Sequence, residues 1–202
     1  DLDFLLAFSN QAAIAIENAF LYEELQEKER MEQEISIAAR IQAGLLPTTL
    51  PQVPGLEVYG KMIPARKVGG DYYDFIVSPD NSTLSLVIGD VSGKGIPAGL
   101  VMVMARLILH LFLRDTKSCP SETLAAANRL LKENTEPFIF MSLLLARWDS
   151  QAQKFIYAGA GHENLLVCRT DGSIEVIPAG GVVLGIKETI DDMVEEKELH
   201  LE

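Results

Sequence analysis

The stretch Val68–Gly95 constrains this chain more than any other. It reads VGGDYYDFIV, then SPDNS, then TLSLVIGDVSGKG. Two segments rich in β-branched and aromatic residues flank a turn containing Pro79, Asp80 and Asn81, which predicts an antiparallel hairpin. Asp71 opens the first strand and Asp90 closes the second. Pairing the strands therefore brings the two carboxylates together at the open end of the hairpin. Gly69, Gly70, Gly89, Gly93 and Gly95 surround them, and glycine lets backbone approach a ligand closely. Two acids in such a setting suit a hard cation, because Mg²⁺ takes oxygen ligands, commonly one or two carboxylates plus waters. A single Gly-Asp pair is an ordinary turn. The metal reading rests on the second pair, on the hairpin and on the GKGIPAGL segment that follows.

A chain of 202 residues with 48% hydrophobic content fits one cored domain, or one domain plus a fragment. The net charge of −12 weighs against a nucleic-acid partner. The acid excess sits in Glu17–Glu34 and Glu188–Glu202, read as solvated helix or loop surface. No uninterrupted apolar run reaches about 18 residues, so no transmembrane helix and no membrane partner are expected. The N-terminus lacks the basic region of a signal peptide. Cys119 and Cys168 fit reduced thiols in a cytoplasmic protein, with a disulfide left open.

In chain order, residues 2–25 predict a helix, with Leu6, Ala13, Ile14, Ile16, Phe20, Leu21 and Leu25 as its apolar positions. Helix propensity stays high through QEKERMEQE and into Ile35–Leu46, and Pro47 stops it. Ile14, Leu21 and Ile35 share a seven-residue spacing that Lys28 interrupts. A coiled coil pairing two subunits and a single solvated helix both remain open. LEVYGKMIPA, from Leu56, predicts a strand, followed by the hairpin and a buried helix from Pro97 to Leu113. His110 in that helix reads as a packed or surface residue. A second helix runs from an N-cap at Ser121 to about Asn134. Phe138–Trp148 predicts a central strand. Lys154–Ala160, Leu165–Arg169 and Ile174–Ile177 predict three more, the last two joined by a Thr170-Asp171-Gly172 turn. Antiparallel strand pairs with two helices imply an α+β sandwich of two packed sheets with helices outside.

Four segments in this order carry a family resemblance: AARIQAGLLP at Ala38–Pro47, VGGDYYD, GDVSGKGIPAGL, and YAGAGHENLLV at Tyr157–Val167. They resemble the SpoIIE/RsbU-type branch of the PPM (protein phosphatase 2C-like) serine/threonine phosphatases, from about Ile35 to Gly185. The resemblance implies an α/β/β/α sandwich of two antiparallel sheets flanked by helices, preceded here by a long linker helix. Residues 1–25 resemble the last helix of a GAF-like sensor domain; 26–54 would be a helical signalling linker, and 55–202 the phosphatase domain. The family's later Thr-Asp-Gly segment and final aspartate have no match after Gly185, so the phosphatase domain reads as incomplete at its C-terminal side.

The resemblance also implies chemistry. Asp90 would bridge two Mg²⁺ or Mn²⁺ ions, Asp71 would complete one of them, and the carbonyl of Val91 would add a ligand. The ions would activate a water for in-line attack on phosphorus. Gly70 and Gly93 would lie at the substrate or just behind the metal ligands, and Lys94 would offer a point charge to phosphate. Asp74 would order second-shell water or cap a turn. His162 would support the loop near the site. Gly159 and Glu163 depart from the family's usual NAGHNP. GDVSGKG is not a P-loop: that motif would need glycine at Ile88 and Ser or Thr at Gly95. No Cys-x5-Arg loop surrounds either cysteine. The implied substrate is a phosphorylated STAS-type anti-anti-sigma protein, with an upstream sensor in cis and a homodimer through the N-terminal helix as an open alternative. A catalytically incomplete phosphatase fold that binds a regulatory partner stands as the second reading. A chain whose helix serves only for dimerisation is the third.

Overall fold

The computed structural model describes residues 2–64, 67–114 and 119–200. It divides into two compact units, 1–40 and 41–202. One helix, α1 (Leu2–Leu45), runs through all of the first and into the second. It contains no glycine before Gly44 and ends ahead of Pro47, as helix propensity and proline chemistry dictate. Phe4, Phe8, Ile14, Phe20 and Leu21 are all exposed, and Gln42 is the helix's one buried residue among those described.

The second unit is built on the predicted hairpin. Strands β1 (Tyr72–Val77) and β2 (Thr83–Val91) pair antiparallel, and the turn is held by Asp80, whose Oδ1 accepts hydrogen bonds from the Ser78 and Ser82 hydroxyls. Two helices follow, α2 (Ile96–Leu113) and α3 (Pro120–Asn134). Then come β3 (Met141–Asp149), β4 (Lys154–Ala160), β5 (Leu165–Cys168), β6 (Ile174–Ile177), a 3-10 turn at Asp191–Met193, and β7 (Glu196–Leu199). Five strands form one antiparallel sheet in the order β1-β2-β3-β4-β7, and β5-β6 form a second, two-stranded sheet.

Strand alternation divides the large sheet into two faces. Tyr72, Val87, Leu143, Leu145 and Ala158 point toward α2 and α3, where they meet Met102, Leu109 and Leu124. Burying each large side chain there contributes about 1.5–3 kcal/mol. The opposite face carries Leu84, Trp148 and Phe155, covered by Val53, Leu56, Val58 and Val167. Trp148 Nε1 donates to the Pro54 carbonyl at 3.1 Å and fixes that cover.

Several expectations need correction. Residues 56–64 form no strand, although Leu56, Val58, Gly60 and Met62 are half-buried while their odd-numbered neighbours are exposed. The period-2 pattern is there, but beyond a lone bridge from Leu56 to Val53 no neighbouring strand completes a ladder. Ala65, the last residue of that segment, lies outside the described residues. The N-cap of α3 is Cys119, with Pro120 at the first turn, because proline needs no amide partner there. Ser121 is already inside the helix. β3 starts at Met141, and Phe138 is exposed. α2 is covered on one side only: Leu100, Leu107 and Leu111 face solvent. By length and by the mean hydropathy of an 18-residue stretch (1.3 in α1, 2.0 in α2) both helices reach what a membrane-crossing helix needs, which uninterrupted runs do not reveal. In α2 that apolarity serves the core. The acidic tail is not all loop, since β7 lies within it and anchors Leu199 on β4 through Phe155.

Candidate active site

Tyr72 pairs with Gly89, which sets Asp71 opposite Asp90 at the end of the hairpin. By alternation both face the side of the sheet away from α2. There they line a cavity of about 880 Å³ with Tyr73, Ile88 and His162. Their carboxyl groups are close enough to interact electrostatically. Burial and the adjacent Asp71 charge push Asp90 above the ordinary carboxylate range. Two ionised carboxylates at this distance repel, and a proton or a cation between them relieves it.

Backbone completes the arrangement. A Cβ on Gly70 would stand 2.6 Å from the Val91 carbonyl oxygen, so only glycine allows this approach. The Val91 amide donates to the Gly70 carbonyl at 3.3 Å. The site thus gathers two carboxylates and a nearby backbone carbonyl. This all-oxygen set fits a hard divalent cation. Among the described residues no group of three or more His, Cys, Asp or Glu side chains forms around it. Gly93 and Lys94 follow in the loop between β2 and α2, and Lys94 is exposed.

Asp74 does not join this site. It lies three residues from Asp71 and therefore on the opposite face, buried between β1 and α2. Its carboxylate accepts from Tyr72 Oη at 3.1 Å and from the Phe75 amide at 2.8 Å, and pairs with His110 Nε2 at 2.8 Å and Arg106 Nε at 3.2 Å. It is neither a water-ordering group at the cavity nor a turn cap. It ties the hairpin to the helix layer. Burial, with Asp74 alongside, pushes the Tyr72 phenol strongly upward, so Tyr72 stays a neutral donor.

Two partners were not evident from the sequence. Gln42 of α1 clamps Gly69: its Nε2 donates to the Gly69 carbonyl at 2.8 Å and its Oε1 accepts the Gly69 amide at 3.1 Å. In the sequence it is only a glutamine between Ile41 and Ala43, and its burial is seen in the structure alone. Ser142 pairs with Asp90 across β2 and β3, and its Oγ lies 3.0 Å from His162 Nδ1. It is the lone polar residue in the run FIFMSLLLA. His162 is half-buried, and burial pulls its pKa below the usual imidazole value.

A profile of the family described as Stage II sporulation protein E (SpoIIE) matches residues 80–202. The phosphoserine phosphatase RsbU of Bacillus subtilis is 33% identical over 195 residues, covering 94% of this chain. The chain spans 56% of that relative's length. Among solved structures, the SiaA-PP2C domain of Pseudomonas aeruginosa superposes with a TM-score of 0.66 at 17% identity, covering 87% of this chain and 69% of that one. RsbX in complex with magnesium does so at 0.55 and 12%, covering 68% and 63%. The fold is thus that of the PP2C-type phosphatases, and the SpoIIE profile covers more than half of the sequence. This chain belongs to the SpoIIE family.

Proposed function

We propose that this protein is a metal-dependent protein serine/threonine phosphatase of the cytoplasm, acting on phosphoserine or phosphothreonine of a regulatory protein. The observation that carries this is the Asp71–Asp90 pair, placed side by side at the cavity in a chain 33% identical to a phosphoserine phosphatase. Asp71, Asp90 and the Val91 carbonyl would hold Mg²⁺ or Mn²⁺. A bound cation of this kind lowers the pKa of water and offsets charge on phosphoryl oxygens. Gln42 holds the Gly69 end of the loop, so the Asp71 carboxylate needs little reorganisation to bind. Lys94 would meet phosphate as a point charge from the loop after β2. The magnesium complex of the structurally similar RsbX supports the choice of ion.

The finer reading is a phosphorylated STAS-type substrate in a partner-switching pathway, with a GAF-like sensor upstream and α1 as the signalling linker. The exposed apolar residues of α1 support pairing with a second copy. A second reading, a partner-binding module with an incomplete catalytic site, is favoured by one observation: among the described residues no third acid joins the pair. Mn²⁺-dependent phosphate release from a phosphoserine STAS protein separates the two. The phosphatase reading expects release by the full-length protein and none by Asp90→Asn. Binding without release in both forms would leave the partner-binding reading.

A further inference from the structure

We propose that His162 is a substrate contact, a neutral imidazole whose Nε2–H donates to a non-bridging oxygen of the bound phosphoryl group and whose ring is positioned by Ser142. The inference rests on the phosphatase reading of the same cavity and adds a residue to it.

The sheet register places these groups in one row. Asp71 stands opposite Asp90, and Asp90 pairs with Ser142. The β3-β4 ladder ends where Leu143 pairs with Ala160, and the chain turns at Gly161 before His162. Ser142 Oγ bridges the two sides, reaching both His162 Nδ1 and the Asp90 carbonyl. Asp71, Asp90 and His162 line the same cavity. A phosphoryl group held at the acidic end would extend along the row toward the imidazole.

The Ser142 hydroxyl has one proton and two acceptors in reach, His162 Nδ1 at 3.0 Å and the Asp90 carbonyl at 3.5 Å. Either atom can donate across the shorter contact, and the proposed arrangement sets the serine proton there rather than on the Asp90 carbonyl. Nδ1 then accepts, and the ring hydrogen resides on Nε2 of a residue that lines the cavity. Burial, which disfavours the imidazolium, agrees with a neutral donor. The backbone beneath the ring is fixed. Gly161 has φ +67°, its amide donates to the Gly180 carbonyl at 2.8 Å, and a Cβ there would stand 2.6 Å from Val183 Cγ1.

The chain has three histidines, so long-range ¹⁵N–¹H spectra of the full-length protein resolve His162 directly. The expected tautomer is Nε2–H, retained in Ser142→Thr and lost to a mixture in Ser142→Ala. Inorganic phosphate added with Mg²⁺ should shift the Nε2 resonance of His162 and leave those of His110 and His200. On a phosphoserine peptide His162→Ala should lose about 10- to 100-fold in kcat/KM, as expected for one hydrogen bond to a charged group. His162→Gln, which keeps an N–H, should recover part of it. A wild-type Nδ1–H tautomer, or no phosphate-induced shift, overturns the proposal. So does full activity of a folded His162→Ala, and that result leaves the phosphatase reading intact. Failure of the wild type to release phosphate, with the His162 shift present, sinks the phosphatase reading and retains the phosphate contact.

Discussion

Asp71 and Asp74 come from the same seven-residue motif, yet odd spacing on a strand sends them to opposite faces and opposite tasks. Asp71 faces the cavity. Asp74 is a buried anion whose neighbours satisfy it: Tyr72 and His110 by hydrogen bonds, Arg106 by charge without hydrogen-bond alignment. Removing one partner of a buried ionic cluster costs about 3–5 kcal/mol, because the remaining charge is left uncompensated. Asp74→Ala should therefore lower the free energy of unfolding in urea by that much while leaving cation affinity at Asp71 and Asp90 unchanged. Equal loss of cation binding would show that the two faces are coupled. Asp90 makes a separate prediction. Its pKa is raised in the folded state, so the native protein holds more protons than the unfolded chain. Stability then falls as pH rises above the ordinary value near 3.8. Mg²⁺ replaces the proton, so its stabilising effect in thermal melts should grow between pH 4 and 7. A cation effect independent of pH would count against a site at this pair. The parity of Asp71 and Asp74 was legible in the sequence. Ser142 was not, because its place beside Asp90 depends on a register set across two intervening helices.

At the scale of elements, local chemistry was readable and remote pairing was not. The β1-β2 hairpin followed from its turn residues, and α1 from propensity and the prolines that end it. β7 was hidden because Glu196, Lys197 and Glu198 read as solvent surface, which they are: the strand is an exposed edge held by Leu199 and by its ladder to β4. Gln42 sits near the end of α1, where two hydrogen bonds join it to Gly69. Each contributes about 0.5–1.5 kcal/mol net, and its loss leaves the partly buried Gly69 groups without partners. Gln42→Ala should destabilise the protein by about 1–3 kcal/mol and weaken cation binding at Asp71, read by calorimetry. Unchanged affinity would make the clamp a packing detail. The remainder of α1 exposes Phe20, Leu21 and Leu25. Sedimentation should give a dimer for the wild type and a monomer for Leu21→Glu. A wild-type monomer would remove the pairing role from this helix.

The whole molecule depends on the central strand β3, which is paired on both sides and buries Met141, Leu143 and Leu145 completely against the helix layer. Leu145→Ala should cost about 2–5 kcal/mol, since rigid neighbours on both flanks limit collapse into the cavity left behind. The general architecture was legible because strand and helix patterns alternate as an α+β sandwich requires. The composition of the second layer was not, because residues 56–64 carry a strand's sequence without a ladder. That segment, which lines the same cavity as Asp90, has a dynamic consequence. Amides in β2 and β3 are locked in paired ladders and exchange with deuterium only through large-scale opening. Amides from Glu57 to Ile63 lack that lock and should exchange far faster. The cavity then has one hard wall, which carries the acids, and one soft wall, which breathes. Whatever fills the space between them should register first as slowed deuterium uptake in Glu57–Ile63, while the strands that carry the acids stay silent.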